Sequence, residues 1–561
     1  MRLLRTILPL LPLAALAVSP PEPCLRRADA PVASLDPAQA ESMPAARAVG
    51  LVYETPLQYD YEARPYRLIP YAADSMPLVE DDGKTITLHF RDDVWFGPDS
   101  CFATSDHRRK MVASDFEYSL KRLADAKQTS PGFWILRGNV VGIDEFHAKS
   151  LEKAPTDYSL PVEGIQVLDD RTIRLRLTKP SPEFLWYLAM AYCSIVPREA
   201  VETYGSQFGT HEVGSGPFTL NDWRKGHRML FVRRDGQPVQ KHSDGSIPYA
   251  AIEYLIMSDA STKWLSFLNG TFDLATEISR DNWDAVILPD GTLSPDLADK
   301  GIRLTKQPTL ESYYLGFNMD DPVVGKNPAL RRALSCAFDT DEWMALNRGR
   351  LAPSNGPVPP GIAGRLETPH PYAYDLEKAK RLLKEAGYPN GIDPATGRRL
   401  SLTLDLGRSD QETRESAELM VSFFARIGVS LELSYSTFPQ FLRKVGKREA
   451  QMFMVGWVAD DPDAMNFLQL FYSKNASPGS NRANFSNAEF DALFERASCE
   501  PDLEKRRPLL EQMQTIVREQ VPWICLYYRN DIVLEGPRLR NFRIHDFSAG
   551  MEKHWRAAIE P

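Results

Sequence analysis

Two aromatic-rich segments, Tyr313-Tyr314-Leu315-Gly316-Phe317-Asn318-Met319 and the later Gly456-Trp457-Val458-Ala459-Asp460, decide how the rest of this chain is read. Both read as buried strands, because apolar residues run through them with few polar interruptions. Neither holds a catalytic dyad, a metal cage or a phosphate loop. Together they read as delivering an aromatic and a carboxylate to one place. Alternate residues of a strand share a face, so Tyr314 and Asn318 lie on one side with Gly316 between them. Glycine there permits close backbone approach.

Residues 1–30 read as an export signal, with Arg2 and Arg5 as the basic end and residues 7–18 as the apolar stretch. That stretch falls short of the roughly 20 apolar residues a bilayer span needs. Two small-x-small sites follow, Ala15-Leu16-Ala17 and Ala28-Asp29-Ala30. Cys24 is preceded by Pro21-Glu22-Pro23, which is not the small and apolar context a lipid attachment site requires. At 561 residues the chain exceeds what one core supports, so two or three domains are expected. A net charge of −9 with no basic tract argues against nucleic acid as a partner. Six scattered cysteines without a C-x-x-C exclude zinc knuckles and thioredoxin-like chemistry. Cys336 and Cys525 sit in apolar runs and read as buried thiols, and the sequence specifies no disulfide pairing.

Along the body, strands and helices alternate without repeats. Residues 165–168 and 172–177 flank Asp169-Asp170-Arg171 and read as a hairpin. Ser114 has capping-box spacing, and Phe116, Leu120 and Leu123 follow at helical intervals. Asp375 reads as a second cap, with a stop at Gly387. Further helices are expected at 329–346, 411–427, 487–498 and 502–519. Strands are expected near 229–234, 251–257, 302–307, 401–406, 430–435, 452–457 and 523–528. The charged face of the 502–519 helix, with Arg506, Arg507 and Arg518, reads as solvated.

Ordered blocks then carry a resemblance. Val52-Tyr53-Glu54-Thr55-Pro56-Leu57 opens the series, and Leu88-His89-Phe90-Arg91-Asp92-Asp93 and Ala113-Ser114-Asp115-Phe116-Glu117-Tyr118 follow. Next come Gly214-Ser215-Gly216-Pro217-Phe218, Gly270-Thr271-Phe272-Asp273 and the Tyr313 segment. Leu330-Arg331-Arg332-Ala333-Leu334, the Gly456 segment, Asn484-Phe485-Ser486-Asn487 and Pro522-Trp523-Ile524 complete it. In this order they resemble the family 5 extracytoplasmic solute-binding proteins of ABC importers, the oligopeptide, dipeptide and nickel-binding type.

The resemblance implies an α/β fold with an α+β insertion: the two-lobed type II periplasmic-binding-protein fold, with two hinge strands and a central ligand cleft. Lobe I would comprise 40–70, 186–300 and 520–561, the inserted domain 71–185 and lobe II 301–519. It further implies a periplasmic monomer that delivers a short peptide or similar small solute to an ABC permease and its ATPase. No cofactor and no catalytic residue is expected. Asp460 would take the ligand's α-ammonium, Trp457 would wall the pocket, and Gly456 would be a further ligand-binding position. Tyr314, Phe317 and Asn318 would line the cleft from the second lobe, and Tyr53 and Glu54 from the first. The same fold binding a sugar, opine or metal chelate is the alternative, and a sensory receptor is another.

Enzymatic readings lack their residues. Gly214-Ser215-Gly216 is no nucleophile elbow, since the flanking positions are Val213 and Pro217, and a turn entering a strand at Phe218 is expected. His211-Glu212 lacks the second histidine of a zinc-protease helix, and no histidine pair has helix-ligand spacing, so no metal site is expected.

Overall fold

The computed structural model describes residues 19–558 apart from 81–82, 153, 235–241, 279–281, 348 and 548–549. Its organising feature is the strand Trp523–Glu535, which belongs to two units at once. Its C-terminal half pairs antiparallel with Arg303–Pro308, from Asn530↔Pro308 to Glu535↔Arg303. Its N-terminal half pairs antiparallel with Glu311–Phe317. The chain therefore crosses between units twice, at Thr309-Leu310 and at Arg529-Asn530. The crossings are tied together where the Thr309 N–H donates to the Arg529 carbonyl at 2.8 Å. These are the two strand crossings that the expected two-lobed fold requires.

Lobe II grows outward from that strand in the order Trp523–Glu535, Glu311–Phe317, Met452–Val458, Ser401–Leu406 and Ser430–Tyr435. The last two are parallel, joined by the helix Gln411–Ala425 that Asp410 caps by accepting the Thr413 N–H. Asp375 caps Leu376–Glu385 as its sequence indicates. The expected 329–346 helix is two, Pro328–Ala337 and Thr340–Leu346, because Phe338 is extended and Asp339 starts a new cap. The presumed solvated face at 502–519 is a correction. Arg506 and Arg518 are buried in the helix Leu503–Gln520, and only Arg507 of the three stays at the surface.

Lobe I carries a four-stranded sheet ordered Cys24–Asp29, Ala251–Ile256, Arg228–Arg233 and Phe218–Arg224. The expected inserted domain holds an antiparallel sheet ordered Leu78–Val79, Thr85–His89, Thr172–Arg176 and Ile165–Asp169, which includes the expected hairpin. Its helix Ala113–Ala124 starts two residues earlier than the Ser114 cap suggests. Asp115, not Ser114, makes the cap contact, accepting the Val112 N–H at 2.9 Å. Ile86, Phe116 and Ile173 of this region share one continuous core with Val49, Leu51 and Met229 of lobe I, so the insertion packs as part of that lobe.

The N-terminal expectation needs correction at its distal end. Residues 1–18 lie outside the described residues. Cys24–Asp29, however, is a strand paired in parallel with Ala251–Ile256, with Cys24 and Leu25 fully buried. Lobe I therefore begins well before residue 40. A cut after Ala30 would strip a strand from the sheet, whereas a cut at Ala15-Leu16-Ala17 would not. Small residues suit both a processing site and a packed strand end, which is why composition misleads here. N-terminal sequencing of the exported protein is expected to find a start upstream of Cys24, and a mature start at Pro31 would refute this. No helix of the described residues is long and apolar enough to cross a membrane. All six cysteines are free thiols, Cys336 among the buried ones.

Candidate ligand-binding cleft

Between the lobes lies a cavity of about 590 Å³, inside the roughly 300–1,000 Å³ range of small-ligand sites. Separated stretches line it, among them residues 40–43 of lobe I, 189–192, 309–311 of the hinge, 458–460 of lobe II and 542–547 near the C-terminus. Their meeting place is set by the end of the Met452–Val458 strand, where side chains alternate inward and outward. Trp457 points into lobe II, its indole N–H donating to Asn466 Oδ1 at 2.8 Å. Val458 points out and is 61 % exposed. Ala459 turns back, its N–H donating to the Leu310 carbonyl at 2.9 Å. Asp460 faces out again and lines the cleft.

A relay of buried polar groups holds this strand end. Asn466 Nδ2 donates to Asp461 Oδ2 at 3.0 Å, and Asp461 Oδ1 accepts the Asp463 N–H at 3.0 Å. Asp463 caps the helix Ala464–Leu468 and receives both terminal nitrogens of Arg506, at 2.6 and 3.0 Å. The Arg506 Nε–H donates to the Ala497 carbonyl at 3.0 Å. Burial and the neighbouring Asp463 carboxylate push Asp461 well above the usual carboxylate range. Each buried polar group thereby gains partners that fix its orientation.

Among the eight residues expected to bind ligand, Asp460 alone lines this cavity. Trp457 is a correction, since it braces the loop through Asn466 and does not wall the pocket. Gly456 serves packing, because a Cβ there would come within 2.6 Å of the Tyr313 ring. Tyr314 is fully buried and stacks on Trp523 with centroids 3.3 Å apart. The close approach that Gly316 permits is taken by the Phe453 ring. Phe317 is buried in the lobe II core. Asn318 is buried, with Nδ2 donating to the Arg448 carbonyl at 2.8 Å and Oδ1 accepting the Asp320 N–H at 3.1 Å. Tyr53 is buried against Phe208. Glu54 is buried, its carboxyl pushed up by desolvation despite Arg91 at 3.6 Å. Gly456, Trp457, Tyr314 and Phe317 belong to the strands that frame the cleft, Asn318 follows one of them, Tyr53 and Glu54 follow the helix Met43–Val52, and none of these seven lines the cavity.

The sequence reading missed Glu41, Met43, Trp134, Arg543 and Asp546, all of which line the cavity. Ser42-Met43-Pro44 carried a usable signal, a helix cap followed by proline, and Ser42 does cap Met43–Val52. The others carry no local signal. Asp546 accepts the hinge Leu310 N–H at 3.0 Å and the Tyr66 hydroxyl, tying the C-terminal segment to the hinge.

The cleft's charges fall into two groups. Glu552 pairs with Arg27 at 2.8 Å and Glu311 lies 4.0 Å from Arg529, so those carboxylates are matched. Asp460 and Glu41 have no cationic partner among the described residues, and neither has the Arg543 guanidinium an acidic one. Asp460 is open to the cleft yet crowded enough that desolvation raises its carboxyl above 3.8, with Asn466 acting in the opposite direction. Among the described residues no group of three or more His, Cys, Asp and Glu side chains is placed to hold a metal ion.

Two hinged lobes around such a cleft define a solute-binding protein. The family model described as "Bacterial extracellular solute-binding proteins, family 5 Middle" matches residues 67–479, and the chain belongs to that family. Heme-binding protein A of Haemophilus influenzae is 27 % identical over 480 residues, covering 84 % of this chain and 81 % of that protein. The dipeptide-binding protein of Escherichia coli is 26 % identical over 463 residues, covering 80 % and 78 %. The fold is similar to that of MppA, a periplasmic murein tripeptide binding protein, in its unliganded open form. There the TM-score is 0.78 at 21 % identity, over 95 % of this chain and 96 % of that one.

Proposed function

We propose that this chain is a periplasmic, monomeric substrate-binding protein. It captures short peptides between its lobes and delivers them to an ABC permease and its ATPase, without performing catalysis. One observation carries the reading: Asp460 stands in the cleft as a carboxylate with no cation beside it among the described residues, as a receptor for an ammonium group must. Arg543, likewise without an ion-pair partner among the described residues, offers a cation in the same space, so a zwitterion is complementary to both. The dipeptide- and tripeptide-binding names of two of the similar proteins support a peptide ligand. Lobe closure on the bound ligand would be a population shift about the two hinge crossings.

The heme-binding relative makes haemin the competing ligand to include in the test. Protein refolded from denaturant to strip carried ligand is expected to gain about 2.7 kcal/mol of stability from a free-amine peptide at 100 times its dissociation constant. The N-acetylated forms of the same peptides are expected to shift melting little. Stabilisation by haemin or a sugar with no response to any peptide would remove the peptide assignment and leave the fold standing.

A further inference from the structure

Three large apolar side chains in the described residues are exposed and line the cleft: Val458 at 61 %, Met43 at 47 % and Trp134 at 41 %. They come from three separate elements and from both lobes, so no single local accident of sequence accounts for them. Val458 is the outward neighbour of Asp460, two positions earlier on the same strand end. Met43 stands at the first position of the helix Met43–Val52, and Trp134 is on the short 3-10 turn Pro131–Ile135.

The surroundings hold Trp134 in place. The Tyr187 ring packs edge-on against Trp134 with centroids 5.1 Å apart. A Cβ at Gly132 would lie 2.5 Å from the Tyr192 ring, so glycine is what lets that ring rest on the turn carrying Trp134. Tyr192 and Met190, two positions before it, complete the wall and line the same cavity. Apolar groups gathered on a concave surface are stabilised when something apolar displaces the water on them.

We propose that the cleft selects ligands carrying a large apolar or aromatic group beside their ammonium. That group is seated on Val458 and enclosed by Met43, Trp134, Met190 and Tyr192. The inference rests on the ligand-binding reading of the cleft and specifies its substrate class: peptides with an apolar first side chain. The inserted region, through Trp134, thereby acts in specificity.

The test is isothermal titration of refolded protein with Phe-Ala-Ala, Ala-Ala-Ala and Glu-Ala-Ala. Full burial of one such side chain corresponds to binding roughly 10- to 100-fold tighter for Phe-Ala-Ala than for Ala-Ala-Ala. Glu-Ala-Ala is expected to bind more weakly than either. Trp134→Ala is expected to remove most of the Phe/Ala difference while Ala-Ala-Ala stays within about threefold, and Met43→Gln to reduce that difference in part. Circular dichroism confirms that each variant is folded. Equal affinities for the three peptides, or equal weakening of all three by Trp134→Ala, overturns the proposal. If no peptide binds, the peptide reading falls and the neutral dye Nile red decides the apolar one. Dye fluorescence that Trp134→Ala abolishes upholds the apolar subsite, and fluorescence that it leaves unchanged overturns it.

Discussion

Asp460→Asn is expected to weaken binding of free-amine peptides by about 2–4 kcal/mol, roughly 30- to 1,000-fold, while leaving the melting temperature of the ligand-free protein unchanged. The substitution keeps the size and the acceptor oxygen and removes only the charge. The adjacent Asp461 does not replace it by simple rotation, since it is buried and committed to Asn466 and the Asp463 N–H. The pH profile adds a second signature. An ammonium ligand needs the Asp460 carboxylate ionised, and crowding raises its pKa above 3.8. Affinity is therefore full above that raised pKa and is lost as pH falls through it, at a higher pH than for an ordinary aspartate. The asparagine variant should show no such titration. Calorimetry across this range checks both statements, and an asparagine variant with native affinity would remove Asp460 from the site.

Arg506→Met is expected to lower stability by about 3–5 kcal/mol, the range found when one partner of a buried ion pair is removed. Arg506 is 4 % exposed, and both its terminal nitrogens bond to Asp463. Losing it leaves the Asp463 carboxylate buried beside Asp461, whose carboxyl Asp463 already pushes upward. The loop that presents Asp460 hangs from the same relay, so peptide affinity should fall as well, although Arg506 does not line the cleft. Adding Asp463→Leu should recover much of the stability, because the uncompensated charge is then gone. Urea denaturation of the single and double variants measures this. A loss below about 1 kcal/mol for Arg506→Met would show that the pair is not structural.

Much of the architecture was legible in the residues. The strands Ser401–Leu406 and Ser430–Tyr435 have the expected bounds, because their apolar patterns are clean and turn residues close them. Asp375 announced its helix through cap chemistry that depends on neighbours three residues away. The two-lobed fold followed from the order of family blocks, and the strand Trp523–Glu535 ran seven residues past its expected end at 528 because one strand serves both lobes. Residues 24–29 were misassigned because a short strand of mixed residues has no local mark distinguishing it from a leader.

The candidate site was legible only at Asp460. Tyr314, Phe317, Asn318, Tyr53 and Glu54 were placed on the right strands and helix ends but on their buried sides. Trp457 and Val458 show the limit most clearly. Adjacent on one strand, both read as apolar; one is bonded to Asn466 inside lobe II and the other is exposed in the cleft. Periodicity reports that neighbouring side chains face opposite ways, and cap and turn chemistry reports where elements begin and end. Both are local properties, and from the sequence alone they determined the elements, their order and the family. Whether a face meets a core or a cleft depends on what a distant segment brings against it. Asn466, Arg506, Met43, Trp134 and residues 542–547 are remote or unmarked in the chain, so only the tertiary structure could decide which side of each strand is the site.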